Sequence, residues 1–211
     1  IGALYMNQGE TSLAIEYYEA GLEIARELGD RAGEATTLNN LGALYGGQGD
    51  NPKALEYYQA SLVLLRETGN RTRTSTTLAN MGTVYHNMGE LEKSEGALRE
   101  SLGVYEAIER DLRANDSDRI TFFETQSYVY TNLEQVLADQ NKAGAALEIA
   151  DRSRGRSLVE FLNPNAANSA ANQGRSPFTI EQIKQLARDK NATLIAYSMA
   201  GQALFIWVVS P

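Results

Sequence analysis

Asparagine is the residue type here whose placement points most directly to binding chemistry. Asn40 and Asn80 stand forty residues apart, and Asn132 comes further on; each directly precedes an apolar residue. A side-chain amide offers both a donor and an acceptor. It can therefore pair bidentately with the main chain of an extended peptide, whatever that peptide's side chains are. The same amide can instead bond a neighbouring helix and hold it in register, and the residues alone leave both uses open. His86 is the one histidine, and there is no cysteine. A Cys–His pair, a thiolate zinc site and a disulfide are thereby excluded, and His86 reads as a plain surface or groove residue. Arg152, Arg154 and Arg156 suggest a phosphate or RNA contact at first sight. Arg154 and Arg156 are two apart and do not share a helix face, so solvated residues or pairs with acidic groups are the stronger reading. No Walker loop, dinucleotide fingerprint, nucleophile elbow or metal-binding helix motif occurs. The expectation is a chain with no catalytic residue, no cofactor site and no metal site of its own.

Composition agrees with a binding role. The formal net charge of −8 over 211 residues disfavours a nucleic-acid surface, which wants a basic face. No apolar run reaches the roughly 20 residues of a membrane helix. The opening Ile1-Gly2-Ala3-Leu4-Tyr5 lacks the pattern of a signal peptide. The sequons at Asn70, Asn115 and Asn191 read as chance matches without an export signal, and a cytoplasmic setting is expected.

The elements that would position these residues come from an internal repeat. Residues 1–30 and 41–70 are identical at half their positions, among them Gly2-Ala3-Leu4-Tyr5, Gln8-Gly9, Glu16-Tyr17-Tyr18 and Arg26-Glu27. A further step of forty lands on Met81-Gly82, Tyr85, Gly89 and Leu102. Each unit reads as a helical hairpin. In residues 32–47, Ala35, Leu38, Leu41, Leu44 and Tyr45 recur three or four apart and form one apolar face. Gly49 then supplies a terminating residue with access to positive φ. Asn51 is placed to cap the next helix, with Pro52 at its first position. Leu55, Tyr58, Leu62 and Leu65 form the second apolar face. Neither helix buries its stripe alone, so successive units must stack. Tyr17-Tyr18 and Tyr57-Tyr58 are accounted for as packing between helices.

The pattern resembles the tetratricopeptide repeat: an apolar residue then Gly, Tyr three later, a small residue, then an aromatic. Leu41-Gly42, Tyr45, Ala54 and Tyr58 fit it, as do Ile1-Gly2, Tyr5, Ala14 and Tyr18; Met81-Gly82, Tyr85, Ser94 and Leu98 fit more loosely. The family's usual period is 34, and a period of forty resembles the longer-helix subclass typified by kinesin light chains. The resemblance implies a mainly α fold, a right-handed α-α superhelix. It divides into a partial repeat 1–30, with more chain expected upstream, repeats 31–70 and 71–110, and a divergent unit 111–162. In that last unit Phe123, Tyr130, Leu133 and Leu137 keep helical spacing. Glu134 replaces the repeat Gly, and Ala146 and Ala150 take the small and aromatic places, the helix continuing through Leu158 and Phe161-Leu162. In this family the position of Asn40, Asn80 and Asn132 faces the concave groove, with Thr36, Ala43, Thr76, Thr83, His86, Asn87 and Gln135 as neighbours. The implied ligand is a protein or peptide segment. No Lys or Arg stands at these positions, so an acidic tail is not the expected ligand there.

After the repeats the texture changes. Residues 163–177 have no periodicity and read as a linker. Thr179 with Gln182 makes a capping box for a helix to about Arg188. Thr193–Met199 and Ala203–Val209 read as a β-hairpin turning at Gly201, and the nearly unbroken apolar run Leu204 to Val209 reads as a strand buried on both faces. The segment Ala150-Asp151-Arg152-Ser153-Arg154-Gly155-Arg156-Ser157-Leu158, then the linker, the capped helix and these strands, resembles the junction between tetratricopeptide repeats and a CHAT domain. CHAT domains are caspase-like α/β folds, often bacterial. Residues 178–211 would then be the N-terminal piece of a truncated α/β domain whose His and Cys lie beyond this chain. The implied function is a non-catalytic regulatory arm of such a protease. The alternative is a stand-alone adaptor of the kinesin-light-chain or polarity type, with the hairpin as a cap. With the rest of such a domain missing, the hairpin is expected to cover itself on the chain's own repeats or, the favoured expectation, by strand pairing with a second copy in a homodimer.

Overall fold

The computed structural model describes residues 1–112, 119–153, 179–200 and 203–211. The Arg154 and Arg156 pair, Phe161-Leu162, the 163–177 segment, the Gly201 turn and the side chain of Phe123 lie outside the described residues. Two compact units are present, Ile1–Arg119 and Ile120–Pro211.

The first unit consists of α1 (Gly2–Gln8), α2 (Thr11–Leu28), α3 (Arg31–Gly47), α4 (Asn51–Glu67), α5 (Arg71–Asn87) and α6 (Leu91–Leu112). Each helix packs on the next, and α3 also touches α5, so the first helices of successive hairpins form a continuous face. The turns follow a half-period of twenty. Gly9, Gly29, Gly49, Gly69 and Gly89 all have positive φ, between 66° and 81°, where a side chain costs about 1–2 kcal/mol. At three of these turns the side chain after the glycine caps the next helix. Asp30 accepts from Gly33 N, Asp50 from Lys53 N and Asn70 from Arg73 N. The cap of α4 is thus Asp50 and not Asn51, because the turn glycine already ends the preceding helix; Asn51 opens the helix and Pro52 follows it.

The repeated glycine inside each first helix has a packing cause. A Cβ on Gly42 would stand 2.7 Å from the Tyr58 ring, one on Gly82 2.6 Å from Leu98, and one on Gly2 3.1 Å from the Tyr18 ring. The small positions Ala14, Ala54 and Ser94 are fully buried. Buried hydroxyls add a second repeated link: Ser61 Oγ donates to Ala35 O at 2.7 Å, and Ser101 Oγ donates to Ser75 O at 2.8 Å. Tyr17 stacks on Tyr5 and Tyr57 on Tyr45, with ring centroids 5.1 and 5.4 Å apart. These tyrosines are therefore inter-helix packing, as the repeat requires.

The second unit holds α7 (Arg119–Asp139), α8 (Ala143–Ser153), α9 (Ile180–Lys190) and the antiparallel strands β1 (Leu194–Ala200) and β2 (Ala203–Val209). Leu133, Leu137, Ala146 and Ala150 are fully buried, and Glu134 is buried among them at 2% exposure. Thr179 and Gln182 form the expected capping box. The hairpin is anchored within this unit. Trp207 Nε1 donates to Ala143 O at 3.0 Å, and Ser198 Oγ donates to Glu134 Oε2 at 3.0 Å. Its apolar run is not buried on both faces. Leu194, Ala196 and Trp207 are buried, while Ile195, Tyr197, Met199, Leu204, Ile206 and Val208 are 58–71% exposed. A two-stranded sheet alternates its side chains, and among the described residues only one face is covered.

Candidate functional site

The first-helix face of the first unit carries a polar cleft of about 300 Å³ between α3 and α5. Thr36 and Asn39 come from α3, Thr72, Arg73, Thr76 and Thr77 from α5, and Ala35 and Leu65 close it below. The hydroxyls hold fixed orientations. Thr36 Oγ1 donates to Ala32 O at 2.8 Å and Thr76 Oγ1 to Thr72 O at 3.1 Å. Thr77 Oγ1 donates to Asn39 Oδ1 at 3.0 Å, which ties the two first helices together and orients that amide.

Of the residues expected from the sequence, Thr36 and Thr76 are brought together in this cleft. Asn40 and Asn80 are half-buried one turn further along α3 and α5. Asn40 lies close to Tyr18 of α2, whose phenol pKa burial pushes up while the Asn40 amide opposes the shift. Thr83 Oγ1 donates to Ala79 O at 3.2 Å. His86 is half-buried near the end of α5, Asn87 exposed beside it, and Ala43 exposed on α3. Asn132 and Gln135 lie on α7 in the second unit, where Gln135 Nε2 donates to Asp139 at 2.9 Å. They do not line this cleft.

Sequence reasoning missed Asn39, Thr72, Arg73 and Thr77. Thr72 and Arg73 precede Thr76 by one helical turn, so they follow from the same periodicity. Arg73 places a cation at the cleft, where none was expected. Asn39 could not be found this way, because its counterpart forty residues on is Ala79. At the other end of the α3–α4 hairpin, Lys53 Nζ donates to the Tyr45 hydroxyl at 2.7 Å and lies 3.9 Å from that ring's centroid. The bond to Tyr45 raises the lysine pKa. Among the described residues no group of three or more His, Cys, Asp or Glu is placed to hold a metal ion, and no helix is long and apolar enough to cross a membrane.

A tetratricopeptide-repeat family model matches residues 1–67 and again 35–107. The chain belongs to the tetratricopeptide repeat family. Tetratricopeptide repeat protein 28 of Mus musculus and of Homo sapiens are each 25% identical over 121 residues, which is 57% of this chain. The chain spans about 5% of the length of these curated relatives. Among solved structures, BtubC (BKLC) of P. vanneervenii superposes with a TM-score of 0.62 at 22% identity, over 84% of this chain and 66% of that one. The apo form of RapI gives 0.63 at 18% identity, over 73% of this chain and 40% of that chain. These likenesses establish the fold. The first unit is a tetratricopeptide helical solenoid, and the second unit carries helices and the β-hairpin.

Proposed function

We propose that this chain is a non-catalytic adaptor whose first-helix groove binds an extended protein segment. The observation that carries this reading is the α3–α5 cleft, where hydroxyls, an amide and Arg73 converge on an apolar floor of Ala35 and Leu65. Such a surface suits a main chain with small polar side chains better than a hydrophobic anchor. Asn80, Thr83, His86 and Asn87 extend the same face along α5, and Asn40 extends it along α3. Asn132 and Gln135 are proposed to make corresponding contacts on α7. The test is a peptide selected from a random library against the intact chain. Thr36→Val and Thr76→Val keep the volume and remove the hydroxyls, and Asn80→Ala removes the amide. Each lost bond should weaken binding by roughly 0.5–1.5 kcal/mol with helicity unchanged. Full affinity in all three variants defeats the proposal.

The adaptor reading, of the kinesin-light-chain type, has the forty-residue period and the family match behind it. The hairpin's seat on Ala143 of α8 and Glu134 of α7 suits a cap on the helices. The reading as the arm of a caspase-like protease has only the residue resemblance at 150–158 and in the strands. We further propose that the exposed hairpin face packs on a second copy. Six large side chains without formal charge, Ile195, Tyr197, Met199, Leu204, Ile206 and Val208, stand uncovered on that one face, and apolar surface of this kind gains by leaving water.

A further inference from the structure

The internal repeat supplies its own template for a second binding site, away from the groove. At the turn between α2 and α3, Glu34 is held between two guanidinium groups: Arg26 Nε at 2.9 Å from Oε1 and Arg31 Nη1 at 3.5 Å from Oε2. The Glu34 side chain is only 11% exposed. Forty residues on, the two arginines recur as Arg66 and Arg71, but the carboxylate does not: Thr74 stands in place of Glu34. Its hydroxyl turns back to Asn70 O at 2.9 Å. Two further exchanges widen the same place, Gly103 for Val63 and Ala107 for Glu67. The result is a cleft of about 560 Å³ whose lining includes Arg66, Arg71, Thr74, Glu100, Gly103, Val104 and Ala107, within the size range of ligand pockets.

Both arginines line the cleft and have taken other carboxylates of this chain as partners. Arg66 pairs with Glu100 and Arg71 with Asp111, both pairs about half exposed. Exposed pairs of this kind are worth little, so a carboxylate that reaches both guanidiniums displaces them at small cost. A charge-assisted fork to two arginines is the stronger arrangement. We infer that this cleft binds a glutamate side chain of a partner protein, reproducing from outside the contact that Glu34 makes within the chain. An apolar neighbour of that glutamate would lie on Val104 and Ala107. The preceding turn argues for this occupant directly, since there the same arginine pair is filled by a glutamate on a helix.

A short helical peptide presenting one Glu flanked by leucines, titrated into the intact chain at low salt and followed by NMR shifts, tests the inference. Saturable shifts at Gly103, Val104 and Ala107 are expected. The Thr74→Glu variant refills the cleft as Glu34 does and should weaken binding at least tenfold, as should Arg71→Gln. Thr74→Glu should also unfold at no lower temperature, because its counterpart Glu34 already fits there. Unchanged binding in Thr74→Glu, or equal binding of a peptide with Gln in place of Glu, overturns the inference. N-acetylglutamate amide is the control for a free small acid; if it binds as tightly as the peptide, the partner-protein assignment fails.

Discussion

Gly42 and Gly21 are both helical glycines of the repeats, and their surroundings set opposite expectations. A Cβ at Gly42 meets the nearly buried Tyr58 ring at 2.7 Å, while a Cβ at Gly21 meets nothing within 4 Å. Gly42→Ala gains about 1 kcal/mol of helix propensity but overpacks a closed contact, which costs roughly 1–3 kcal/mol. A net loss is expected. Gly21→Ala has only the gain, about 0.5–1 kcal/mol. Urea unfolding of the two variants should move the midpoints in opposite directions, and a stabilised Gly42→Ala variant would refute the packing account. The second unit reverses the same pair. Glu134 stands at the glycine position and Ala150 at the aromatic one, both buried, so bulk has moved from one helix to the other. The sequence made that exchange visible position by position. It did not reveal that Ser198 donates to the Glu134 carboxylate, because the two residues are 64 apart and no local pattern joins them.

At the scale of elements, the helices of the repeats were legible because a glycine turn recurs every twenty residues, at Gly9, Gly29, Gly49, Gly69 and Gly89. The strands were legible as strands, and their burial was not. An unbroken apolar run fits a fully covered strand and equally a strand with an apolar exposed face. Register decides which side chains are covered. Ala196 lies opposite Trp207, and on the other face Tyr197 lies opposite Ile206. The covered face depends on Trp207, whose indole N–H reaches Ala143 O at 3.0 Å. Trp207→Phe keeps the ring contact with Phe205 and removes the donor, leaving a carbonyl short of its partner. The cost should be on the order of 1–2 kcal/mol. Hydrogen exchange should show faster exchange in β1 and β2 with α3–α5 unaffected; an unchanged hairpin would mean that apolar contact alone seats it.

For the whole molecule, the proposed packing of the exposed hairpin face on a second copy is tested by the state of association. Tyr197→Glu with Ile206→Lys, an opposed pair on the uncovered face, leaves the covered face intact. Light scattering should find the parent chain dimeric at high concentration and this variant monomeric. A monomeric parent would remove the hairpin from the list of contacts between copies. By itself the sequence determined the repeat, its helices and the buried stripe of each, because these depend on spacings of three, four and forty along one chain. It also determined what is excluded, since a chain with no cysteine and one histidine cannot assemble the sites those residues build. The tertiary structure alone decided which polar residues share a cleft, bringing Thr36 to Thr76 and Asn39 to Thr77. It alone decided that Arg66 pairs with Glu100 and Arg71 with Asp111 beside Thr74, which stands where the counterpart turn has Glu34. Both depend on which residues distant in the chain meet across packed helices, and that is fixed by the closeness of the packing.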